Sequence, residues 1–376
     1  MKTVSNEAEL ADVVAGANGP LRVQGGGTRD VGAPVLGEVL SVSGLDEVVL
    51  YEPGSLTLVV GAGTPLEKID RLLASERQRL AFEPMDHRVL LGTAGTSTIG
   101  GVVAANVSGP RRVQAGAARD FTLGARFVDG QGRIIKNGGR VMKNVTGYDL
   151  VKLMAGSRGT LGVLSEVSLK VQACPEVETT LVAEGLSPEA GVAKLSAALG
   201  SPFDVTGAAQ EVGGRTMVRL EGLSESIAYR ARELMSGVLA GFEKVDGEAS
   251  SALWTEVRDV AMLADRPGAV WRVSVKPTDG PALLAALGTR VEAALMDWGG
   301  GLLWLLMPDV GDAGAEVVRT EIARLGGHAT LVRATAETRA KVDVFQPQAP
   351  GVAALSRALK QNFDPRGILN PGLMGY

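Results

Sequence analysis

The chain has 376 residues, which is long enough for two domains of ordinary size, and glycine, with 50 residues, is its one compositional outlier. The glycines are neither periodic nor accompanied by excess proline, so the composition excludes a collagen-like or disordered chain and favours many tight turns. The net charge of −4 comes from 38 basic and 42 acidic residues that are mixed along the chain, which argues against nucleic acid as a partner.

The N-terminus and the single cysteine bear on where the protein works. The first residues include acidic side chains where a signal peptide would need an apolar core, and the apolar run at 301–307 is far shorter than the about 20 residues of a membrane span. One cysteine, Cys174, excludes an internal disulfide and any multi-cysteine zinc or iron–sulfur site. We therefore expect a cytoplasmic protein with no membrane span, in which any membrane association is made through partner chains.

The predicted elements of the first half are short and are separated by glycine-rich loops. A helix is expected with Asn6 as its N-cap, and a strand at 21–24 leads directly into Gly-Gly-Gly-Thr at 25–28. A second helix is expected with Thr64 as its cap and Pro65 at its first position. Further strands are expected at 48–51, 56–60, 127–128, 134–135 and 163–171.

After Cys174 the pattern changes to a regular alternation of strands and helices. Strands are expected near 179–183, 204–210, 216–221, 270–275, 302–307 and 329–333, and helices near 188, 224–239, 251–264, 281 and 314–325. This order indicates two rounds of β-α-β-β-α-β, which predicts an antiparallel sheet covered by helices on one face. The pattern is compatible with one shared sheet or with two.

Three glycine-rich segments contain the residue types that a flat, phosphate-bearing ligand needs. The run at 25–28 follows a strand and can direct several backbone N–H groups toward one anion, although a simple loop with positive φ is the alternative. Residues 95–120 combine glycines, hydroxyls and amides with arginines that can neutralise a diphosphate; a packed small-residue helix is the alternative there. Residues 156–163 form another glycine-rich loop before a strand.

Together these motifs resemble the FAD-binding (PCMH-type) domain of the vanillyl-alcohol oxidase / p-cresol methylhydroxylase superfamily. The stretches that carry the resemblance are Gly-Gly-Gly-Thr at 25–28, Ser-Thr-Ile-Gly-Gly at 97–101, Gly-Ser-Arg-Gly-Thr-Leu-Gly-Val at 156–163, Lys-Asn-Val-Thr-Gly-Tyr-Asp-Leu at 143–150, and Phe-Asp-Pro at 363–365 with Ile-Leu-Asn-Pro-Gly at 368–372. The resemblance implies an α+β fold with an FAD-binding domain at 1–172, a cap or substrate domain at 175–335 in which an antiparallel sheet is combined with helices, and a C-terminal segment at 340–376 that returns to the FAD-binding domain.

The resemblance also implies the cofactor site. The backbone of residues 24–28 would hold the diphosphate of FAD, and the backbone of Val163 would face the pyrimidine end of the flavin. The expected cofactor-binding residues are Gln24, Gly25, Gly26, Gly27, Thr28, Arg29, Ser97, Thr98, Gly100, Gly101, Asn106, Gly109, Arg112, Arg119, Asp120, Gly159, Thr160, Gly162, Val163 and Asn370. Many relatives attach FAD covalently through a histidine in the pyrophosphate loop, and since no histidine occurs at 25–30, we expect non-covalent FAD.

Within the superfamily the sequence is most similar to the FAD-binding subunits of bacterial glycolate oxidases. That resemblance implies a small 2-hydroxy-acid substrate and two partners, a larger FAD-containing catalytic subunit and an iron–sulfur subunit. The paired histidines with which the larger subunits bind a metal are missing, because the chain has one histidine in each half, His87 and His328. We therefore expect no metal, and for His87 we expect a surface or capping role.

The substrate contacts and the catalytic role remain open at this stage. Lys143 and Arg333 are the candidate catalytic residues that could meet a substrate carboxylate, and either is equally compatible with a solvated surface charge. The chain would either take hydride at the flavin N5 as part of an oxidase or dehydrogenase, or relay electrons and stabilise a complex as a non-catalytic subunit. A stand-alone dehydrogenase, such as a D-lactate dehydrogenase or a UDP-sugar reductase, is a further alternative.

Overall fold

The computed structural model describes residues 1–140 and 147–375, in which helices are combined with mostly antiparallel sheets. The strands of the N-terminal half are β1 (Lys2–Thr3), β2 (Leu21–Gln24), β3 (Glu38–Ser41), β4 (Val48–Glu52), β5 (Thr57–Gly61), β6 (Gln78–Arg79), β7 (Thr122–Val128), β8 (Ile134–Gly138), β9 (Val163–Lys170) and β10 (Gln172–Ala173). Its helices are α1 (Glu7–Ala15), α2 (Leu66–Ala74), α3 (His87–Leu91), α4 (Ile99–Ala105), α5 (Arg112–Ala115), α6 (Ala118–Phe121) and α7 (Leu150–Met154).

Two sheets dominate this half. A five-stranded antiparallel sheet has the order β4-β5-β9-β7-β8, and a three-stranded parallel sheet has the order β1-β3-β2. The hairpin expected around 127–135 is confirmed, with Phe127 opposite Ile135. The cap of α1 is also confirmed, since Asn6 Oδ1 accepts a hydrogen bond from the backbone N–H of Glu9 at 2.9 Å.

Helix α2 begins differently from the prediction. Its N-cap is Pro65, and the Oγ1 of Thr64 has no hydrogen-bond partner among the described residues. The backbone N–H of Leu66 instead donates to the carbonyl oxygen of Ser97 at 2.9 Å. A carbonyl of a neighbouring segment therefore accepts from one of the N–H groups that the first turn of a helix leaves unpaired.

The second half forms one eight-stranded antiparallel sheet, which decides between the two alternatives left by the sequence. Its strands are β11 (Val177–Glu184), β12 (Gly207–Glu211), β13 (Arg215–Gly222), β14 (Glu243–Asp246), β15 (Ala269–Ser274), β16 (Ala293–Asp297), β17 (Leu302–Met307) and β18 (His328–Arg333), in the order β14-β11-β13-β12-β16-β17-β15-β18. The two predicted rounds are confirmed, and they meet where β12 pairs with β16. Strands β14 and β16 are absent from the sequence prediction.

Helices cover this sheet mainly on one face. The helices of the C-terminal half are α8 (Pro188–Leu199), α9 (Ser224–Ser236), α10 (Gly247–Asp259), α11 (Gly280–Leu287), α12 (Ala315–Leu325), α13 (Ala336–Lys341) and α14 (Pro350–Phe363). Leu181 and Val218 pack with α8 and α9 in one apolar cluster. The alternate residue Thr180 accepts a hydrogen bond from the indole of Trp254 in α10, which therefore lies on the opposite face.

A buried ionic cluster joins the two halves. Arg111 and Glu83 of the N-terminal half meet Arg219 and Glu221 of β13: Arg111 Nη2 lies 2.8 Å from Glu221 Oε1, and Arg219 Nη1 lies 2.8 Å from Glu83 Oε1. Arg79 adds a further contact to Glu221 at 2.5 Å. Because buried charges are costly without partners, separating the two halves here would leave several charges unpaired.

The C-terminal segment returns to the N-terminal half. The backbone N–H of Leu21 donates to the carbonyl of Ile368 at 2.7 Å, and the N–H of Asn370 donates to the carbonyl of Leu21 at 3.0 Å. The helices of residues 1–140 and 147–375 are all too short or too polar to cross a lipid bilayer.

Candidate functional site

A groove of about 1020 Å³ runs along the loop that follows β2. Of the residues expected to bind the cofactor, thirteen line it: Gln24, Gly25, Gly26, Gly27, Thr28, Arg29, Thr98, Gly100, Gly101, Gly159, Gly162, Val163 and Asn370. They come from four separate stretches of sequence that the three-stranded sheet, α4, β9 and the C-terminal segment bring together. Clefts lined by apolar groups together with a few convergent polar groups are typical of cofactor sites.

Two glycines allow the groove's loop to lie directly against the segment before α4. A Cβ atom at Gly25 would lie 2.1 Å from Thr98 Oγ1, and one at Gly26 would lie 1.7 Å from the carbonyl oxygen of Thr96. Both distances are far below van der Waals contact, so a larger residue would have to displace the side chain of Thr98 at position 25 and the backbone of Thr96 at position 26. The glycine run is thus required by the packing of two loops as well as by approach to a ligand.

The backbone of this loop has unused hydrogen-bond donors. Within the described residues, the N–H groups of Gly25, Gly26, Gly27 and Thr28 donate to no other group of the protein. Buried or half-buried N–H groups are nearly always paired, so several free donors beside a cavity indicate an anionic ligand. The donor set fits the diphosphate of a dinucleotide.

Asn370, in the C-terminal segment, makes hydrogen bonds with two residues that line the groove. Its Oδ1 accepts a hydrogen bond from the backbone N–H of Val23 at 2.7 Å, and its Nδ2 donates to the carbonyl of Arg158 at 2.8 Å. The residue is 4% exposed and has a left-handed backbone with a φ of 42°. Strained residues of this kind persist where the surroundings fix them, often at functional sites.

A second cavity, which we call the chamber, adjoins the groove and has a volume of about 1200 Å³. The two cavities share Arg29, Val31, Ala105 and Arg158. The sheet contributes Arg272, Asp297, Leu302, Trp304, His328, Thr330 and Val332 to the chamber, all from the four adjacent strands β16, β17, β15 and β18. They alternate along each strand, so one face of the sheet forms the chamber wall.

The guanidinium groups of three chamber arginines make no hydrogen bond or ion pair with any of the described residues. The guanidinium of Arg112 stacks on Trp298 at 4.7 Å, that of Arg272 lies 5.2 Å from the same ring, and that of Arg158 stacks on Phe345 at 4.7 Å. Burial lowers the pKa of Arg158 and of Arg272 to about 10, so both remain charged at neutral pH. The chamber therefore favours an anion.

Asp297 is the one acidic residue that lines the chamber in the described part of the chain. It ends β16, is 3% exposed, and its Oδ1 accepts a hydrogen bond from the backbone N–H of Trp298 at 2.6 Å. Burial raises the pKa of this carboxyl to about 7, and the N–H of Trp298 acts in the opposite direction. Perturbed carboxyl groups in clefts are typical of catalytic sites.

Both histidines line the chamber, so a surface role for His87 is wrong. His87 is buried, and its Nδ1 accepts a hydrogen bond from Arg29 Nε at 3.2 Å. Burial and then Arg29 hold the pKa of His87 well below its usual value, and burial likewise lowers the pKa of His328. The described residues include no cluster of three or more histidine, cysteine or acidic side chains that could hold a metal ion.

The other expected site residues have different positions. Asn106, Gly109 and Arg112 line the chamber rather than the groove. Four others line neither cavity: Ser97, Arg119, Asp120 and Thr160. Ser97 Oγ accepts a hydrogen bond from Arg29 Nη2 at 2.6 Å, and Thr160 Oγ1 donates to the carbonyl of Ser157 at 2.7 Å. Arg119 and Asp120 are about half exposed.

Of the two expected catalytic residues, the structure describes only Arg333. Arg333 lines neither the groove nor the chamber, because its guanidinium donates to five backbone carbonyls, those of Leu90, Leu263, Ala264, Arg266 and Gly268. Lys143 lies outside the described residues.

The sequence reasoning missed Arg158, Arg272, Asp297, Trp298 and His328. One signal was available for His328, since His328 and Thr330 place two polar side chains at positions that alternate with the apolar Ala329 and Leu331. For Asp297 there was no comparable signal, because its strand was not recognised.

Comparison with known proteins places the N-terminal half in a described family. The model for "FAD binding domain" matches residues 2–138. Glycolate oxidase subunit GlcE of Escherichia coli (strain K12) is 35% identical over 94% of this chain and 92% of its own length. Glycolate oxidase subunit GlcD of Bacillus subtilis (strain 168) is 26% identical over 94% of this chain and 83% of its own.

Two further similarities extend the comparison. D-lactate dehydrogenase of Archaeoglobus fulgidus is 34% identical over 44% of this chain and 37% of its own length. Among solved structures, alkyldihydroxyacetonephosphate synthase superimposes with a TM-score of 0.71, covering 98% of this chain and 76% of that protein at 16% identity. At that identity the superposition supports the fold alone.

Proposed function

Since this chain belongs to the FAD-binding family that includes glycolate oxidase subunit GlcE, we propose that it is an FAD-dependent oxidoreductase subunit that oxidises a small 2-hydroxy acid such as glycolate. In this proposal the groove holds FAD and the chamber holds the substrate. FAD supplies a two-electron acceptor for hydride when it is bound. The protein's own residues bind, orient and deprotonate the substrate.

The observation that carries the proposal is the set of half-buried arginines in the chamber. Arg112, Arg158 and Arg272 lie beside the groove without an ion-pair partner in residues 1–140 and 147–375. A guanidinium binds a carboxylate through two parallel hydrogen bonds and remains charged when buried. A small carboxylate would therefore find its counter-charges here without a metal.

FAD would be bound without a covalent link. The lining of the groove contains no histidine, and its anion-binding donors are the backbone N–H groups of residues 25–28. Acid precipitation of the purified protein should leave all of the yellow chromophore in the supernatant. Chromophore retained in the pellet would contradict non-covalent binding.

The proposed activity is tested by a single turnover without oxygen. The FAD-loaded chain, free of other subunits, is mixed anaerobically with glycolate or with D-lactate, and the visible flavin absorbance is followed. Loss of the absorbance is expected and would rule out a purely relaying role. No loss with either acid would contradict the proposal and favour a non-catalytic subunit. Loss with NADPH alone would favour a sugar-nucleotide reductase instead.

Partner chains are part of the proposal because the relative of 35% identity is named as a subunit. We propose a complex with a larger FAD-containing subunit and an iron–sulfur subunit that takes the electrons onward. Affinity purification of this chain from its native cells, followed by mass spectrometry and iron analysis, should identify both. Recovery of the chain alone under gentle conditions would contradict the complex.

A further inference from the structure

Asp297 is placed in the chamber with one oxygen occupied and the other free. Its Oδ1 is held by the backbone N–H of Trp298 at 2.6 Å, whereas its Oδ2 accepts no hydrogen bond from any residue of 1–140 or 147–375. Arg258, which also lines the chamber, is already paired with Asp259 at 2.7 Å. Asp297 is therefore a chamber carboxylate with a free acceptor atom.

The loop after Asp297 fixes its position from both halves of the molecule. Trp298 has a left-handed backbone with a φ of 53°, which a residue with a side chain adopts at a cost. Its indole Nε1 donates to the carbonyl of Gly109 at 3.1 Å, and its ring lies against the guanidinium groups of Arg112 and Arg272. Trp298 thus holds Asp297 through its backbone N–H and contacts the two arginines through its ring.

Several charged groups face Asp297 from the elements packed around it. Burial has the largest effect on its pKa and raises it; Glu83 of the N-terminal half raises it further, while Arg219 of β13 and Arg272 of β15 lower it. The remaining titratable groups of the chamber are the arginines 29, 112, 158 and 258 and the two histidines. At neutral pH the carboxyl is therefore divided between its acid and base forms.

Resting on the proposed function, we propose that Asp297 is the general base that takes the hydroxyl proton of a 2-hydroxy acid whose carboxylate is bound by Arg112 and Arg272. The O–H bond of the substrate would break with its proton passing to Asp297 Oδ2, and the C–H bond would break with its electron pair leaving as hydride, so that the C–O bond becomes the C=O of a 2-oxo acid. Bound FAD would supply the two-electron acceptor for that hydride. The two histidines are less suited to act as the general base. His87 Nδ1 already accepts a hydrogen bond from Arg29, and the lowered pKa of His328, caused by burial, makes its imidazole a weaker base. General bases are most effective when their pKa lies near the working pH.

The test uses the full-length, FAD-loaded protein and the substitution Asp297→Asn. Asparagine keeps the volume and the oxygen that accepts from Trp298, so the loop should remain folded. The rate of anaerobic flavin reduction by glycolate should fall about 10²- to 10⁴-fold.

The wild-type rate should rise with pH through about 7, the pKa of Asp297, because the base form is required, and the variant should lose that rise. Asp265→Asn, at an exposed position, is the matched control and should keep the wild-type rate and pH profile.

A second readout does not depend on turnover. Oxalate is titrated into the protein by calorimetry in buffers of different ionisation enthalpy, which counts the protons taken up on binding. The wild type should take up protons near neutral pH, because a dianion beside Asp297 favours its neutral form, and Asp297→Asn should bind oxalate without that uptake. Proton uptake that persists in Asp297→Asn and disappears in His328→Gln would overturn the assignment and identify His328 as the titrating group.

The outcomes separate this inference from the proposed function. If no 2-hydroxy acid reduces the flavin of the wild-type protein, that result overturns the proposed function and, with it, the base role of Asp297. Equal rates and equal pH profiles in the wild type and in Asp297→Asn overturn the role of Asp297 alone.

Discussion

The groove and the chamber adjoin each other, but their chemistry comes from different parts of the chain. The groove presents backbone N–H groups and glycines, with Gly25 and Gly26 packed against the segment before α4. The chamber presents long side chains from both halves, among them Arg112 and Arg272. A site built from backbone N–H groups does not depend on the identity of the side chains, as long as no Cβ atom occupies the space of the ligand or of the neighbouring loop. A side-chain site depends on a few groups and on the contact between the halves that brings them together.

This difference has a testable consequence. FAD is the cofactor of this protein, so changes in the groove should alter FAD affinity, and changes in the chamber should alter the reaction while FAD stays bound. The ionic cluster between the halves should affect the chamber more than the groove.

The largest effect is expected for Glu221→Gln in the cluster between the halves. Removing one carboxylate leaves Arg79, Arg111 and Arg219 short of partners, and breaking a buried ion pair costs about 3–5 kcal/mol of unfolding free energy. Urea denaturation at neutral pH measures the loss. Glu225→Gln, exposed on α9, is the control and should change the unfolding free energy by less than about 0.5 kcal/mol.

The same variant has a predicted pH dependence. Burial acts to raise the pKa of Glu221, but Arg219 and Arg111 outweigh burial and hold the pKa well below its ordinary value. A lowered folded-state pKa stabilises the protein above the unfolded-state pKa of about 4.3, and this contribution is lost as the pH falls toward the folded-state value. The difference between wild type and Glu221→Gln should thus be constant near neutral pH and shrink below about pH 4. A difference that grows in acid would contradict the assigned cause.

The next largest effect is expected for Gly26→Ala in the groove. The new Cβ would lie 1.7 Å from the carbonyl oxygen of Thr96, so the loop must move. Overpacking costs up to about 3 kcal/mol. A cost of that size on the loop that binds FAD corresponds to a fall in FAD affinity of about 150-fold. Fluorescence titration of the apoprotein with FAD measures it. Gly19→Ala is the control, because a Cβ at Gly19 would meet nothing within 4 Å; equal FAD affinity in both variants would contradict the loop-packing argument.

A smaller effect is expected for Arg272→Met in the chamber. Methionine keeps much of the side-chain length but loses the charge, and a hydrogen bond to a charged group contributes about 2 kcal/mol. The KM for glycolate should therefore rise about 10- to 30-fold, while the FAD content stays unchanged. Arg290→Met, at an exposed position, should leave both unchanged. Loss of FAD from Arg272→Met would show that the two cavities are not separable.

Local sequence patterns determined most of the framework. The glycine run at 25–28, the hairpin around 127–135 and the two β-α-β-β-α-β rounds were predicted, because turn residues and hydrophobic periodicity act over neighbouring positions. FAD itself was indicated by the resemblance of these motifs to a known family, because the glycine run alone was also compatible with a simple loop of positive φ.

The tertiary structure alone decided what the chamber contains. Asp297 ends a strand that the sequence did not reveal, and Arg333, a plausible carboxylate partner by residue type, donates instead to five carbonyls. Likewise, His87 is buried against Arg29, which is distant in sequence. The physical reason is that a side chain's burial, charge state and hydrogen-bond partners depend on groups from remote parts of the chain. Backbone turns and amphipathic strands are specified by residues next to one another, but the environment of a buried acid is not.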